Sequence, residues 1–161
     1  MLFRSEFRSR NDDGTNANGN FGIAESGNAH GVVNMNNGSL TVGAWALFSA
    51  WQDDAAASVA TLNATDSAID LQNDSGDHGR LLWGRRGTAT INQSGGTVHV
   101  GNWAVLGVEG GGRGNWNMSD GAVAQLDNEL NIGRNGGIGR MTLDTASVLQ
   151  VNGEVDRKSV V

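Results

Sequence analysis

AVAQLDNE at residues 122–129 and SVLQVNGE at residues 147–154 share one pattern, and the second copy begins 25 positions after the first. Two further pairs of segments keep the same order upstream: residues 116–119 match residues 141–144, and residues 105–107 match residues 131–133. A repeat of this length, built from short strand-like pieces, is typical of a solenoid, in which successive coils of the chain stack on one another.

With these two units as a template, the earlier chain aligns into about five coils of three short strands each. The first strands end at Phe21, Phe48, Trp83, Leu106 and Ile132. The second strands centre on residues 33–35, 60–62, 89–91, 116–118 and 141–143, and the third cover residues 40–42, 69–71, 98–100, 123–126 and 148–151. Apolar and polar residues alternate in most strands, so one face of each strand is predicted to line a common axis. We therefore predict an all-β fold, a right-handed parallel β-helix (β-solenoid).

Polar and glycine positions recur at the ends of these strands. The centre of the second strand is polar in every coil: Asn34, Thr61, Thr90, Asn117 and Thr142. The residue that follows this strand is also polar: Asn36, Asn63, Asn92, Ser119 and Asp144. Stacked at one turn, the side chains of this second set can hydrogen-bond to backbone groups or to the coil above, so we expect a polar ladder there. Glycine, which permits the positive φ of a corner, follows the first strand at Gly22, Gly84, Gly107 and Gly133, with Ser49 in its place in the second coil.

Composition restricts the possible functions. The chain has 161 residues, enough for one domain, and contains no cysteine, so it has neither disulfides nor a thiolate metal site. The formal net charge of −6 argues against a nucleic-acid partner. No apolar run approaches the roughly 20 residues that a membrane span requires. The glycines at residues 136–139 resemble the start of a calcium-binding nonapeptide, but Met141 occupies the ligand position, so we expect no metal and no cofactor.

The two termini do not continue the repeat. Residues 1–5 and 156–161 resemble translated sequencing adapters, which predicts that the chain is an internal fragment of a longer, metagenomic gene. We assign residues 1–18 to an irregular N-terminal segment, residues 19–155 to the solenoid domain and residues 156–161 to a foreign tail. A solenoid without caps exposes raw strand edges, so end-to-end association is also expected.

Two irregular connections, residues 49–58 and 72–79, carry candidate catalytic carboxylates. These are Asp53, Asp54, Asp74 and Asp77. Paired carboxylates serve general acid–base chemistry in polysaccharide-cleaving β-helices, but aspartate also favours turns, and no spacing here is diagnostic. We therefore interpret them as loop residues and keep catalysis as the alternative. His30 and His99 are isolated in the sequence and are interpreted as surface or turn residues.

Tryptophan and arginine residues suggest a second kind of site. Trp51 lies in the irregular loop of the second coil, and Arg85 and Arg134 follow equivalent glycines. Exposed indoles stack on sugar rings, and an arginine edge binds acidic polysaccharide. Indoles also pack at corners, the interpretation we prefer for Trp45 and Trp103, and arginines also solvate loops. Ligand binding by Trp51, Arg85 and Arg134 therefore remains an alternative.

Three segments resemble the repeats shared by bacterial autotransporter passengers and PEP-CTERM-associated exported proteins: ATINQSGGTVHVGNWAVLGV at 89–108, GNWNMSDGAV at 114–123 and LNIGRNGGIGRMTL at 130–143. The similarity covers about residues 19–155 and is strongest after residue 80. The resemblance implies an exported or surface-attached extracellular protein, and it supplies no catalytic motif. We predict a non-catalytic structural or adhesive module with extracellular polysaccharide or matrix as its partner. A carbohydrate-active β-helix, lyase-like or hydrolase-like, and a glycan-binding module are the alternatives.

Overall fold

The computed structural model describes residues 6–8, 21–24, 27–43, 46–50, 57–73 and 78–157, with the backbone alone at residues 6–8 and 48. Within these ranges the chain forms 17 strands and no α-helix. All paired strands run parallel. Parallel strands that are joined by corners instead of helices form a β-solenoid, as the repeat predicts.

The strands are numbered in chain order, and each belongs to one of three sheets. The first sheet contains β2 (Phe21–Ile23), β5 (Ala46–Ser49), β8 (Arg80–Trp83), β11 (Ala104–Leu106), β14 (Leu130–Ile132) and β17 (Val155–Arg157). The second sheet contains β3 (His30–Asn36), β6 (Val59–Thr65), β9 (Thr88–Ser94), β12 (Arg113–Ser119) and β15 (Ile138–Leu143). The third sheet contains β1 (Glu6–Arg8), β4 (Ser39–Val42), β7 (Ala68–Leu71), β10 (Thr97–Val100), β13 (Val123–Leu126) and β16 (Val148–Val151).

The three sheets enclose a narrow apolar lumen. Along β6 the residues at alternate positions, Ala60, Leu62 and Ala64, are buried, and the residues between them are more exposed. Two indoles, Trp83 and Trp116, lie in the lumen with no solvent exposure. Full burial of a large apolar side chain contributes about 1.5–3 kcal/mol, so the lumen is the main source of stability. Because these contacts lie between coils, each coil depends on its neighbours.

The repeat that predicts the fold is in register in the structure. Val123 pairs with Val148 in the third sheet, and Trp116 pairs with Met141 in the second. In the first sheet, Leu106 pairs with both Trp83 and Ile132. The predicted alignment of the last two coils is therefore confirmed in all three sheets, as are the third strands of all five coils.

The predicted alignment of the second strands is wrong in the second and third coils. Asn34 pairs with Asn63, not with Thr61, and Asn117 pairs with Asn92, not with Thr90. A shift of two residues leaves the inward and outward faces of a strand unchanged, so the hydrophobic pattern does not reveal it.

The predicted ends of the first strands in the first two coils are also wrong. Phe21 pairs with Leu47, and the two strands continue to Ile23 and Ser49, which pair with each other. Gly22 and Ser49 are consequently strand residues. The corner positions that follow are Ala24 and Ala50, with φ values of 51° and 50°, which correspond to Gly84 with a φ of 73°.

The two ends of the described solenoid expose apolar groups. Leu143, Val148 and Val155 are exposed in the last coil. At the other end, a cavity of about 230 Å³ is lined in part by Phe21 and Met35. These surfaces are compatible with end-to-end association, which stays a prediction. No helix among the described residues is long and apolar enough to span a membrane.

Candidate functional site

Most of the predicted site residues lie outside the described ranges. These residues are Trp51, Asp53, Asp54, Asp74 and Asp77. The carboxylate cluster and the role of Trp51 therefore stay predictions. Arg85 and Arg134 are described, and they lie in corners that follow the first sheet, after Gly84 and Gly133.

The outer face of the second sheet carries a continuous ladder of polar side chains, which we call the asparagine ladder. Its members are Asn34, Asn63, Asn92, Asn117 and Thr142. Each of the last four side chains donates a hydrogen bond to the side-chain oxygen of the ladder residue in the preceding coil, at 2.8, 2.8, 2.9 and 2.7 Å. The ladder predicted for Asn36, Asn63, Asn92, Ser119 and Asp144 is therefore wrong in its members, because Asn63 and Asn92 lie in the column of Asn34 and Asn117. The four hydrogen bonds run in the same direction along the axis, and together they connect all five coils.

A histidine connects three coils on the outer face of the third sheet; we call His99, Asp70 and Asp127 the His99 clip. The Nδ1 atom of His99 lies 2.8 Å from Asp70 Oδ1, and its Nε2 atom lies 2.9 Å from Asp127 Oδ2. His99 is thus a surface residue, as interpreted from the sequence, but it has a partner in each neighbouring coil. Asp70 precedes it by one coil at the same register position, and Asp127 follows by one coil.

The His99 clip favours a charged imidazolium. Partial burial lowers the pKa of His99, but the hydrogen bonds and charges of Asp70 and Asp127 outweigh it, so the pKa of His99 is raised. The hydrogen bond from His99 in turn lowers the pKa of Asp127. With a carboxylate on each ring nitrogen, His99 has no nitrogen left to act as a general base on a substrate. The geometry indicates a connection between coils, not a catalytic dyad.

Arg85 is engaged in a contact between neighbouring coils. Its Nε donates to Glu109 Oε1, and the Nη2 atom of Arg86 lies 3.9 Å from the same oxygen. One carboxylate thus neutralises part of the predicted arginine edge. Arg134 has a different neighbour, the indole of Trp103.

Trp103 lies against the outer face of the first sheet. There, a second apolar cluster contains Ala46, Leu82, Val105 and Val108, and Trp103 packs half-buried against it. The guanidinium carbons of Arg80 and Arg134 lie 4.6 and 5.6 Å from the centroid of the indole ring. Corner packing, the preferred interpretation for Trp103, is therefore confirmed. Trp45 lies outside the described residues.

Beside Trp103 the surface forms a concavity of about 390 Å³, which we call the Trp103 concavity. It is lined by Trp103, Glu129, Asn131, Arg134 and Asp156. Asn131 is buried, and its Nδ2 donates a 2.7 Å hydrogen bond to Glu129 Oε1.

The structure offers no group of three histidine, aspartate or glutamate side chains that could hold a metal ion, in the part of the chain that it describes. No family model matches the chain, and no curated protein or solved structure matches it either. Any functional conclusion therefore rests on the residues and their geometry.

Sequence reasoning missed the His99 clip and the contribution of Arg80, Glu129 and Asn131 to the surface beside Trp103. A signal for the clip was present, because the third-strand alignment places Asp70 directly over His99. The sequence contains no comparable signal for Glu129 and Asn131, because they resemble ordinary polar residues beside a strand.

Proposed function

We propose that this domain is a non-catalytic structural and adhesive module of an exported or cell-surface protein, and that it binds extracellular polysaccharide or matrix. The observation that carries the proposal is the asparagine ladder. In this ladder, polar side chains on an outer face hydrogen-bond from coil to coil. Such bonds stiffen a stack of coils, as a rod-like module requires. The side chains are not gathered into a reactive cleft. The His99 clip and the contact between Arg85 and Glu109 connect coils in the same way.

Two further points support an extended role. Each coil repeats the contacts of its neighbour, so length can be added without a new core. A rod that carries several weak contacts also binds a polymeric surface more tightly than one contact allows. The resemblance to exported repeat proteins adds the extracellular location to this proposal.

The test combines retention and cleavage on one set of substrates. The purified chain is incubated with insoluble extracellular polysaccharides, and both the bound protein and the newly released reducing ends are measured. We expect retention on at least one polysaccharide and no release of reducing ends above a heat-denatured control.

The enzyme alternative predicts a different result. The non-catalytic proposal is wrong if the chain releases reducing ends and a double variant abolishes this release. The two double variants are Asp53→Asn with Asp54→Asn, and Asp74→Asn with Asp77→Asn. We expect both double variants to be retained on the polysaccharide as well as the unmodified chain, because no part of the proposed adhesive role requires these carboxylates.

A glycan-binding module is the second candidate function, and the Trp103 concavity favours it. The wall of this concavity combines an indole, an amide, a carboxylate and a guanidinium within one small surface. Arg134 belongs to this surface, whereas Arg85 pairs with Glu109.

A further inference from the structure

Three Asn–Gly dipeptides of this chain lie among the described residues: Asn37–Gly38, Asn135–Gly136 and Asn152–Gly153. A fourth, at residues 18 and 19, lies outside them. In such a dipeptide the backbone nitrogen of glycine can attack the side-chain amide carbon of asparagine, because glycine has no Cβ to shield that nitrogen. All three asparagines are exposed, so access of water does not distinguish them. What distinguishes them is how the fold holds the glycine nitrogen.

At two of these sites the attacking nitrogen is bonded to a neighbouring coil. Gly38 N donates a 3.2 Å hydrogen bond to Ser67 Oγ in the next coil. Gly153 N donates a 3.0 Å hydrogen bond to the carbonyl oxygen of Asn128, and a Cβ added at Gly153 would lie 2.8 Å from that oxygen. An attack on the side chain would break these hydrogen bonds, so the fold protects both sites.

Gly136 differs from both. Its nitrogen has no hydrogen-bond partner among the described residues, and a Cβ added there would meet no atom within 4 Å beyond those of its chain neighbours. Asn135 and Gly136 are the central residues of a turn, which a 2.8 Å hydrogen bond from Gly137 N to the carbonyl oxygen of Arg134 closes. Their φ values of 49° and 82° define a type I′ turn.

A flip of one peptide in this turn brings the reacting atoms together. Rotation of the peptide between Asn135 and Gly136 converts a type I′ turn into a type II′ turn, with a ψ of about −120° at Asn135. At this ψ the nitrogen of Gly136 eclipses the Cβ of Asn135, so it lies on the same side as the side-chain amide. The rotating peptide makes one hydrogen bond to the described residues, a long one of 3.4 Å from Gly110 N to the carbonyl oxygen of Asn135.

We propose that Asn135 is a site of spontaneous modification, where asparagine is converted to aspartate or isoaspartate through a cyclic imide. Gly136 N loses its proton to solvent and forms a bond to Asn135 Cγ, and the side-chain nitrogen takes up a proton and leaves as ammonia. One water molecule then opens the ring at either of its carbonyl carbons. The product carries a negative charge next to Arg134. This inference does not depend on the proposed function.

The experiment incubates the folded chain in heavy-oxygen water at mildly alkaline pH and maps the label by mass spectrometry of its peptides. Each conversion incorporates one heavy oxygen from the water that opens the ring. We expect Asn135 to convert faster than Asn37 and Asn152 by about two- to tenfold or more, the effect of one hydrogen bond on the attacking nitrogen. In urea, where the chain is unfolded, the three sites should convert at similar rates.

Ser67→Ala provides a matched control, because it removes the oxygen that accepts the hydrogen bond of Gly38. This variant should speed conversion at Asn37 by about two- to tenfold and leave the rate at Asn135 unchanged. Asp120–Gly121 offers a comparison within the unmodified chain, since its φ values of 57° and 75° define the same type of turn. An ionised carboxylate is a poorer electrophile than an amide, so Asp120 should incorporate label more slowly than Asn135.

Two results would overturn the inference in the unmodified chain. The first is conversion of Asn135 at no greater rate than Asn37 and Asn152 in the folded chain. The second is an advantage of Asn135 that persists undiminished in urea, because the neighbouring sequence and not the turn would then set the rate. An unchanged rate at Asn37 in folded Ser67→Ala would also overturn it, since the hydrogen bond on the glycine nitrogen would then give no protection.

Discussion

Trp116 and Gln93 are hydrogen-bonded to each other inside the lumen, where the indole Nε1 donates to Gln93 Oε1 at 3.2 Å. Gln93 is 1% exposed, and its Nε2 donates to the carbonyl oxygen of Val123 at 3.0 Å. A buried polar side chain without partners is costly, so these bonds allow a glutamine to occupy an inward position between apolar residues. The same contacts join β9 and β12 of the second sheet to β13 of the third sheet.

Trp83 provides a natural comparison with Trp116. Both indoles are fully buried, but Trp83 Nε1 has no hydrogen-bond partner among the described residues. Trp116→Phe should therefore destabilise the chain by about 1–3 kcal/mol more than Trp83→Phe, because it leaves the oxygen of Gln93 without its donor. Urea denaturation followed by circular dichroism measures both changes in the free energy of unfolding.

The double variant Trp116→Phe with Gln93→Leu is the control for this prediction. Replacement of both polar partners should cost less than the sum of the two single changes, because the buried oxygen of Gln93 is then removed together with its donor. Equal losses for Trp116→Phe and Trp83→Phe would show that the hydrogen bond to Gln93 contributes nothing.

The sequence predicts the fold well because the repeat and the inward–outward alternation depend on the same physical constraint. A strand that slips by one residue turns its apolar face to water, so the pattern fixes which residues face the lumen. A slip by two residues keeps that face, so the pattern does not distinguish Asn63 from Thr61 as the partner of Asn34. Contact between like side chains distinguishes the two registers, and in this chain the asparagine ladder supplies that contact.

The candidate sites were less predictable than the fold. Arg134 followed from its corner glycine, and Asn131 precedes it in the same coil, but its partner Trp103 comes from the preceding coil. Sequence alone does not show how far a corner side chain reaches over the next coil. The His99 clip was accessible in principle, since Asp70 and His99 share a column of the predicted alignment.

The His99 clip makes stability depend on pH. Because the pKa of His99 is raised in the folded chain, its contribution is fully present below the unfolded value of 6.5 and is lost as pH rises through the folded value. The groups face solvent, so we expect a loss of less than about 1 kcal/mol. Urea midpoints between about pH 5 and about pH 9 measure the loss.

His99→Gln should flatten this pH dependence, and His30→Gln should leave it unchanged. His30 is exposed on β3 and is not part of the clip. A pH dependence that survives intact in His99→Gln would assign the titration to another group. Asp127 acts at the other end of the scale: its lowered pKa contributes stability above the ordinary aspartate value, which is lost as pH falls through the folded value.

The asparagine ladder should contribute more in its middle than at its end. Asn92 takes part in two ladder hydrogen bonds, whereas Asn34 takes part in one. Each bond is worth at most about 0.5–1.5 kcal/mol, and less on an exposed face. Asn92→Ala should therefore lower the free energy of unfolding more than Asn34→Ala, as measured by urea denaturation. Asn115→Ala, on the same sheet but outside the ladder, should have the smallest effect, and an equal loss at all three positions would contradict a specific role for the ladder.

The corners after the first sheet should respond in opposite ways to alanine and glycine. Gly107 has a φ of 71°, and a Cβ there would lie 2.3 Å from backbone atoms of Ile138 in the next coil. Gly107→Ala should therefore cost more than about 2 kcal/mol, since a left-handed backbone and a clash with main-chain atoms both oppose it. Ala24 occupies the corresponding corner with a φ of 51° and is only half-buried.

Ala24→Gly should leave stability unchanged or raise it by up to about 1 kcal/mol, because relief of the left-handed alanine exceeds the flexibility that glycine adds to the unfolded chain. Thermal and urea denaturation of the two variants, measured beside the unmodified chain, provide the comparison. A marked loss of stability in Ala24→Gly would mean that packing of the methyl group stabilises the fold by more than the left-handed backbone of Ala24 destabilises it. If Gly107→Ala leaves the free energy of unfolding unchanged, the corner relaxes away from Ile138. The close stacking of coils would then not be the reason that glycine occupies this position.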